Sequence, residues 1–166
     1  PGIGNSSHLA SELFKQRAGV DMTHIPYKGD VPAITDLISG EVQVMFATAG
    51  VIQPHIQAGR VKALGVGGAR RLPSMPDLPT ISEAGLEDFE ASAWFGLSTR
   101  AGVDPAIIER LNTELNATLK EPAVVEHFER LNATTVGGSA QDYGNFVNAE
   151  AKKWGSLVKS LGLKVE

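Results

Sequence analysis

Apolar residues recur along the first two-fifths of the chain in two alternating rhythms. Leu9, Leu13 and Phe14, with Ala10 beside them, share one helical face, and Asn5, Ser6 and Ser7 stand before that run as candidate N-caps. Ala18-Gly19 ends the run, and Asp21 to Pro26 reads as a short strand. Gly29 or Asp30 can cap a second helix, with Pro32 in its first turn and Ala33, Ile34, Leu37 and Ile38 on one face. Ser39-Gly40 stops it. Val42 to Ala47 predicts a strand, Val51 to Ala58 a short helix, and Val61 to Val66 another strand. Helix and strand alternating in this way predict a parallel sheet with covering helices.

The pattern then changes. Leu72 to Thr80 is rich in proline and predicts an ordered loop, with Thr80 capping a turn over Ile81 to Ala84. Ala91 to Thr99 reads as a strand that contains Trp94 and Phe95. Asp104 is placed to cap a helix opened by Pro105, with Ile108, Leu111, Leu115 and Leu119 on one stripe. Pro122 starts a further helix through Leu131, and Thr134 to Val136 is a possible short strand. Ser139 caps a last helix from Ala140 to Leu161, although Gly144 and Gly155 weaken it. The expected fold class is α/β: a three-layer, doubly wound, mostly parallel sheet followed by C-terminal helices. The expected division is residues 1–95, an α/β ligand-binding domain, and residues 96–166, a crossing and a helical segment. The first helix has no strand before it, and Pro1 to Gly4 reads as a loop, so a strand is expected ahead of Pro1.

Composition narrows the chemistry. The 166 residues carry a net charge of -4, which predicts no broad basic face and argues against nucleic acid as a partner. There is no cysteine, hence no disulfide, thiolate nucleophile or thiolate metal site. His8, His24, His55 and His127 lie at no metal-ligand spacing, so neither a metal nor a cofactor is expected. No Gly-x-Ser-x-Gly elbow and no phosphate-binding loop occur, and Ser7 stands where a dinucleotide fingerprint needs its third glycine. The carboxylates form no obvious acid–base pair. An enzyme is not expected.

The candidate chemistry lies in three turns that precede helices: Gly4, Asn5, Ser6, Ser7 and His8; Tyr27, Gly29 and Asp30; Ala47, Thr48 and Ala49. In an open parallel α/β sheet such turns share the carboxyl edge of the strands, where ligands bind. Helix N-termini offer unpaired N–H groups and a partial positive charge, which suits a small organic carboxylate. Asp30 disfavours a second negative group directly above it and could accept from an ammonium. Each residue has a plainer role as well. Asn5, Ser6 and Ser7 can be caps alone, His8 and Tyr27 can be packing residues, and Trp94 and Phe95 read more readily as core than as ligand stackers. Arg70-Arg71 and Lys152-Lys153 read as solvated surface.

Several of these stretches together resemble the periplasmic solute receptors of tripartite tricarboxylate transporters, also called Bug receptors. They are Gly2 through Ala10; His24 through Gly29 with Pro32-Ala33 and Asp36-Leu37; Gly40 through Phe46; and Gly59-Arg60-Val61-Lys62-Ala63-Leu64. Arg71-Leu72-Pro73, Pro76 through Thr80, Glu83-Ala84-Gly85 and Trp94-Phe95-Gly96 extend the match, as do Pro105, Leu111-Asn112, Pro122 and Trp154 in the tail. The resemblance implies a two-lobed, type II-like binding protein that holds a carboxylate between lobes, of which this chain is the second lobe and the C-terminal helices. It implies a periplasmic location, membrane transporter subunits as partners, and residues near 95 to 99 as the crossing to the other lobe. It also implies that the helices after Pro105 pack partly on that other lobe, so that the chain alone is expected either to expose a hydrophobic patch or to self-associate. The family often has Ser or Thr where Asn5 stands, and an amide can donate as well as accept, which bears on ligand choice. The rival reading is a ligand-sensing regulatory domain of the same two-lobed fold.

Overall fold

The structure, a computed structural model, describes residues 2–160 and residue 162. Its helices are α1 Ser6–Ala18, α2 Asp30–Ser39, α3 Ala49–Gln57, α4 Pro105–Thr118, α5 Pro122–Arg130 and α6 Ala140–Ser160. Each corresponds to a helix expected from the apolar pattern. Leu161, the expected end of the last one, lies outside the described residues.

Side chains cap the starts of α1, α4 and α6. Of the three candidates before α1, Asn5 is the cap, and its side chain accepts from the His8 amide. Asp104 accepts the Ala106 amide at 2.9 Å, and Pro105 at the first helical position has no amide to satisfy. Ser139 and Asp142 cap each other: Ser139 Oγ accepts the Asp142 amide at 3.1 Å, and Asp142 Oδ2 accepts the Ser139 amide at 3.0 Å. Gly19 and Gly40 close α1 and α2 at φ 64° and 87°, a left-handed turn in which glycine has no Cβ penalty.

The strand expectations require correction. Among the described residues no strand forms at Asp21 to Pro26, Val42 to Ala47, Val61 to Val66, Ala91 to Thr99 or Thr134 to Val136. Pairing is limited to one isolated parallel bridge between Val66 and Thr80, in which the Val66 amide donates to Pro79 O and the Ile81 amide to Val66 O, both at 2.9 Å. A strand exists through its ladder, and apolar alternation supplies no partner for it. Leu64, within the Val61 to Val66 segment expected as a strand under covering helices, is 70% exposed.

The chain divides into two compact units, one reaching to Ala93 and one starting at Trp94. In the first, Phe14 of α1 meets Phe46 with centroids 5.7 Å apart and Phe89 at 6.1 Å, and Phe89 is 2% exposed. Ala10, Ala33 and Ile34 are buried with it. The proline-rich loop is locked by Thr80 and Glu83. Thr80 Oγ1 accepts the Glu83 amide at 3.0 Å, Glu83 Oε2 accepts the Thr80 amide at 2.8 Å, and Arg71 Nε donates to the same carboxylate at 2.8 Å. Arg71 is therefore a loop clamp and not merely solvated surface.

In the second unit α4 packs on α6. The amides of Asn112 and Asn116 both donate to Gly138 O at 2.9 Å, which fixes the turn into α6. Trp94 lies edge-on to Phe146 at 5.1 Å and to Tyr143 at 6.3 Å. Phe95, expected as core, is 92% exposed. Trp94 and Gly96 meet α6, and Phe95 between them is turned to solvent. Of the stripe expected on α4, Ile108, Leu115 and Leu119 are half-buried and Leu111 is exposed. No described helix is long and apolar enough to cross a membrane.

Candidate functional site

The first turn is held by a reciprocal pair of bonds. Asn5 Oδ1 accepts the His8 amide at 2.9 Å, and His8 Nδ1 accepts the Gly4 amide at 3.0 Å. The pair is related to a capping box, with an imidazole in the place of the usual Glu or Gln and with the accepted amide one residue ahead of the cap. Gly4 sits at φ 82°, a bend that a side chain would strain. The amides of Ser6 and Ser7 and both their hydroxyls make no hydrogen bond among the described residues, while the Ser7 carbonyl accepts from Ser11 Oγ at 2.9 Å. With Asn5 Oδ1 spent as a cap, what Asn5 still offers is its Nδ2 donor pair.

His8 is only 4% exposed. Because Nδ1 accepts, its proton belongs on Nε2, which faces Glu12 Oε1 at 3.8 Å. Glu12 is buried too and is held by Lys15 Nζ at 2.9 and 3.1 Å. The His24 ring stacks on His8 with centroids 4.0 Å apart and planes 23° from parallel. Burial pushes His8 below its ordinary value of 6.5, against the opposing pull of Glu12. His24 is lowered as well, by burial first and by the neighbouring His8 second.

The second turn carries no side-chain cap: Gly29, at φ 138°, precedes α2, and Asp30 is in its first turn. The Tyr27 hydroxyl has a partner within the chain. It donates to Asp36 Oδ2 at 2.7 Å, which raises the phenol above its ordinary value. In the third turn, Thr48 precedes α3 without a side-chain bond, its carbonyl accepts the Val51 amide at 3.0 Å, and Ala47 and Ala49 present little bulk.

These bonds each stay within one turn. What brings the turns into relation is α1. His8 stacks on His24 in the segment leading to Tyr27, and Phe14, further along the helix, packs on Phe46 beside Ala47. The selection of site residues from the sequence missed His24. Its distance of sixteen positions from His8 carries no periodic signal, and only the fold makes them neighbours. Among the described residues no group of three or more His, Cys, Asp or Glu could hold a metal ion. A groove of about 600 Å³ lies elsewhere, on α6 between Asn148, Lys152 and Lys159, and includes none of the expected site residues.

Over residues 1–163 the sequence matches the family described as "Tripartite tricarboxylate transporter family receptor". The chain belongs to that receptor family. A "UPF0065 protein in tcbD-tcbE intergenic region" of Pseudomonas sp. is 39% identical over 95% of the chain and 47% of its own length. "Protein BugT" of Bordetella pertussis is 35% identical over 99% of the chain and 50% of its own length. The chain thus spans about half the length of these relatives of the receptor family. Among solved receptors, "R. palustris Rpa4515 with adipate" superimposes at TM-score 0.86 with 35% identity, covering 96% of the chain and 54% of that protein. "MatC (Rpa3494) from Rhodopseudomonas palustris with bound malate" gives 0.82 with 29% identity, covering 95% and 54%. The likeness shows that the chain takes the fold of these binding proteins, and the family is one of solute receptors, not of enzymes.

Proposed function

We propose that this chain is the second lobe, with the C-terminal helices, of a periplasmic receptor that captures a small carboxylate and delivers it to a tripartite tricarboxylate transporter. The observation that carries this reading is the α1 turn. Asn5 accepts the His8 amide and His8 the Gly4 amide, which leaves the Ser6 and Ser7 amides, both hydroxyls and the Asn5 Nδ2 donors unspent at the positive end of a helix. Relatives of the same fold hold adipate and malate, both dicarboxylates.

In this reading Gly4 to His8, Gly29-Asp30 and Ala47 to Ala49 line one side of the cleft, with Tyr27 supporting the second turn through Asp36. Residues near 95 to 99 cross to the other lobe. Calorimetric titration of the full-length receptor with adipate, malate and the corresponding diamides tests it. Saturable binding of a dicarboxylate and none of its diamide is expected. Equal binding of acid and diamide, or no binding of any carboxylate in a wider panel, sinks the reading.

A further inference from the structure

We infer that His24 is a positioning residue for the α1 turn, acting through the ring it stacks on, and that the His8–His24 pair makes this turn a proton-operated catch. This rests on the reading of Gly4 to Ser7 as an anion-holding turn.

His8 Nδ1 can accept the Gly4 amide only while the imidazole is neutral. A proton on Nδ1 converts the acceptor into a second donor facing an N–H, and the bond is lost. That bond fixes the amide at the Gly4 bend, and the next residue is the Asn5 cap, so the positions of the Ser6 and Ser7 amides depend on it.

The surroundings hold the pair neutral at neutral pH. His24 covers one face of His8 at 4.0 Å, and two imidazolium rings at that separation repel. Glu12, from α1, faces Nε2 and favours charge, but its carboxylate is committed to Lys15 at 2.9 Å, and the lysine charge opposes a second cation nearby. Burial of both rings adds to the same side. Acid strong enough to charge either ring then breaks the Gly4 bond, opens the stack, or both. An imidazolium also attracts an anion, so the sign of the pH effect separates a catch from a simple charge.

Two measurements on the full-length receptor test this. In the ligand-free protein, the Gly4 amide resonance is followed from about pH 7.5 to about pH 5 alongside the His8 ring nitrogens. The two are expected to titrate together, and His24→Phe, which keeps the stack without its charge, is expected to move that midpoint upward. Adipate affinity is then measured at the two ends of the range for wild type and His8→Gln. Gln carries a side-chain carbonyl that can accept the Gly4 amide, but it does not titrate. Wild type is expected to bind roughly tenfold more weakly in acid, one logarithmic unit of linkage, while the affinity of the variant, whatever its level at the upper pH, does not show this weakening. Because both proteins see the same ligand, its own protonation cancels. A Gly4 amide that does not follow His8, affinity unchanged or tighter in acid, or an equal acid weakening in His8→Gln overturns the catch. If Gly4 follows His8 but no carboxylate binds at the upper pH, the positioning role stands and the carboxylate reading falls.

Discussion

The Tyr27 hydroxyl donates to the Asp36 carboxylate at 2.7 Å, so the phenol whose sequence neighbourhood suggested a ligand contact is tied to α2, the helix that follows it. The bond stabilises the neutral phenol, and the negative carboxylate beside it disfavours a phenolate. Tyr27 is expected to ionise above the ordinary value of 10.0, and Asp36→Asn to bring it back towards that value. The chain has two tyrosines, so ultraviolet titration in a Tyr143→Phe background reads Tyr27 alone. A Tyr27 midpoint that does not move in Asp36→Asn contradicts the assignment.

Asn5 does two jobs that substitution can separate. Asn5→Ala removes the acceptor of the His8 amide and is expected to cost about 1 kcal/mol in urea unfolding. Asn5→Ser retains an acceptor and is expected to recover most of that stability. It lacks the Nδ2 donors, however, and one lost hydrogen bond to a charged carboxylate, about 1.5–3 kcal/mol, corresponds to roughly ten- to hundredfold weaker binding. Calorimetry on both variants decides the point, and equal affinity of wild type and Asn5→Ser would rule out the donor role.

Thr80 is 3% exposed and its hydroxyl oxygen accepts the Glu83 amide. Thr80→Ala is expected to lose about 1 kcal/mol, as for other removed caps, and Thr80→Ser to restore most of it. The proline-rich loop hangs on the same box through Arg71, so limited proteolysis after Arg70 or Arg71 is expected to quicken in the alanine variant. Unchanged unfolding and unchanged cleavage together would mean that the box is incidental.

What the sequence made legible follows from the range of the forces involved. Helix faces and caps are local: Asp104, Ser139 and one of the three candidates before α1 were identifiable because a cap and its amide lie two or three residues apart. Strand pairing is not local, and alternation at Val42 to Ala47 or Val61 to Val66 could not say which backbone would answer it. The site divides in the same way. Asn5 and His8 could be placed at a helix start, whereas His24 on His8, Asp36 on Tyr27 and Phe46 on Phe14 required the fold.

Both tryptophans of the chain donate to one oxygen: Trp154 Nε1 to Glu150 Oε2 at 2.8 Å and Trp94 Nε1 to the same atom at 3.2 Å. Glu150→Leu keeps volume but leaves two indole N–H groups without an acceptor. The expected loss is about 1–2 kcal/mol, low in the range for an orphaned donor because Trp94 can reach water. Glu150→Gln retains a carbonyl acceptor and is expected to lose less. Tryptophan fluorescence reads the cluster directly, and an emission spectrum identical in wild type and Glu150→Leu would show that the shared acceptor does not organise it.

Stability should fall in two separate acid steps, and the signs follow from the shifts. His8 and His24 have folded values below 6.5, so just under that pH the unfolded chain binds more protons than the folded one. Stability from this pair is complete above 6.5 and is lost as pH drops through the folded values. Glu83 and Asp142 are lowered too, Glu83 first by the Thr80 amide and Asp142 first by the Ser139 hydroxyl. As carboxylates, they contribute above their unfolded values of 4.5 and 3.8, and that contribution is lost as pH falls below them. Urea midpoints followed from about pH 8 to about pH 3 should therefore decline first in the histidine window and again in the carboxylate window. His24→Phe should flatten the first step and leave the second. A midpoint that rises as pH falls from 7 towards 5.5 would mean that the fold favours the charged rings, which the Nδ1 acceptor at Gly4 does not allow.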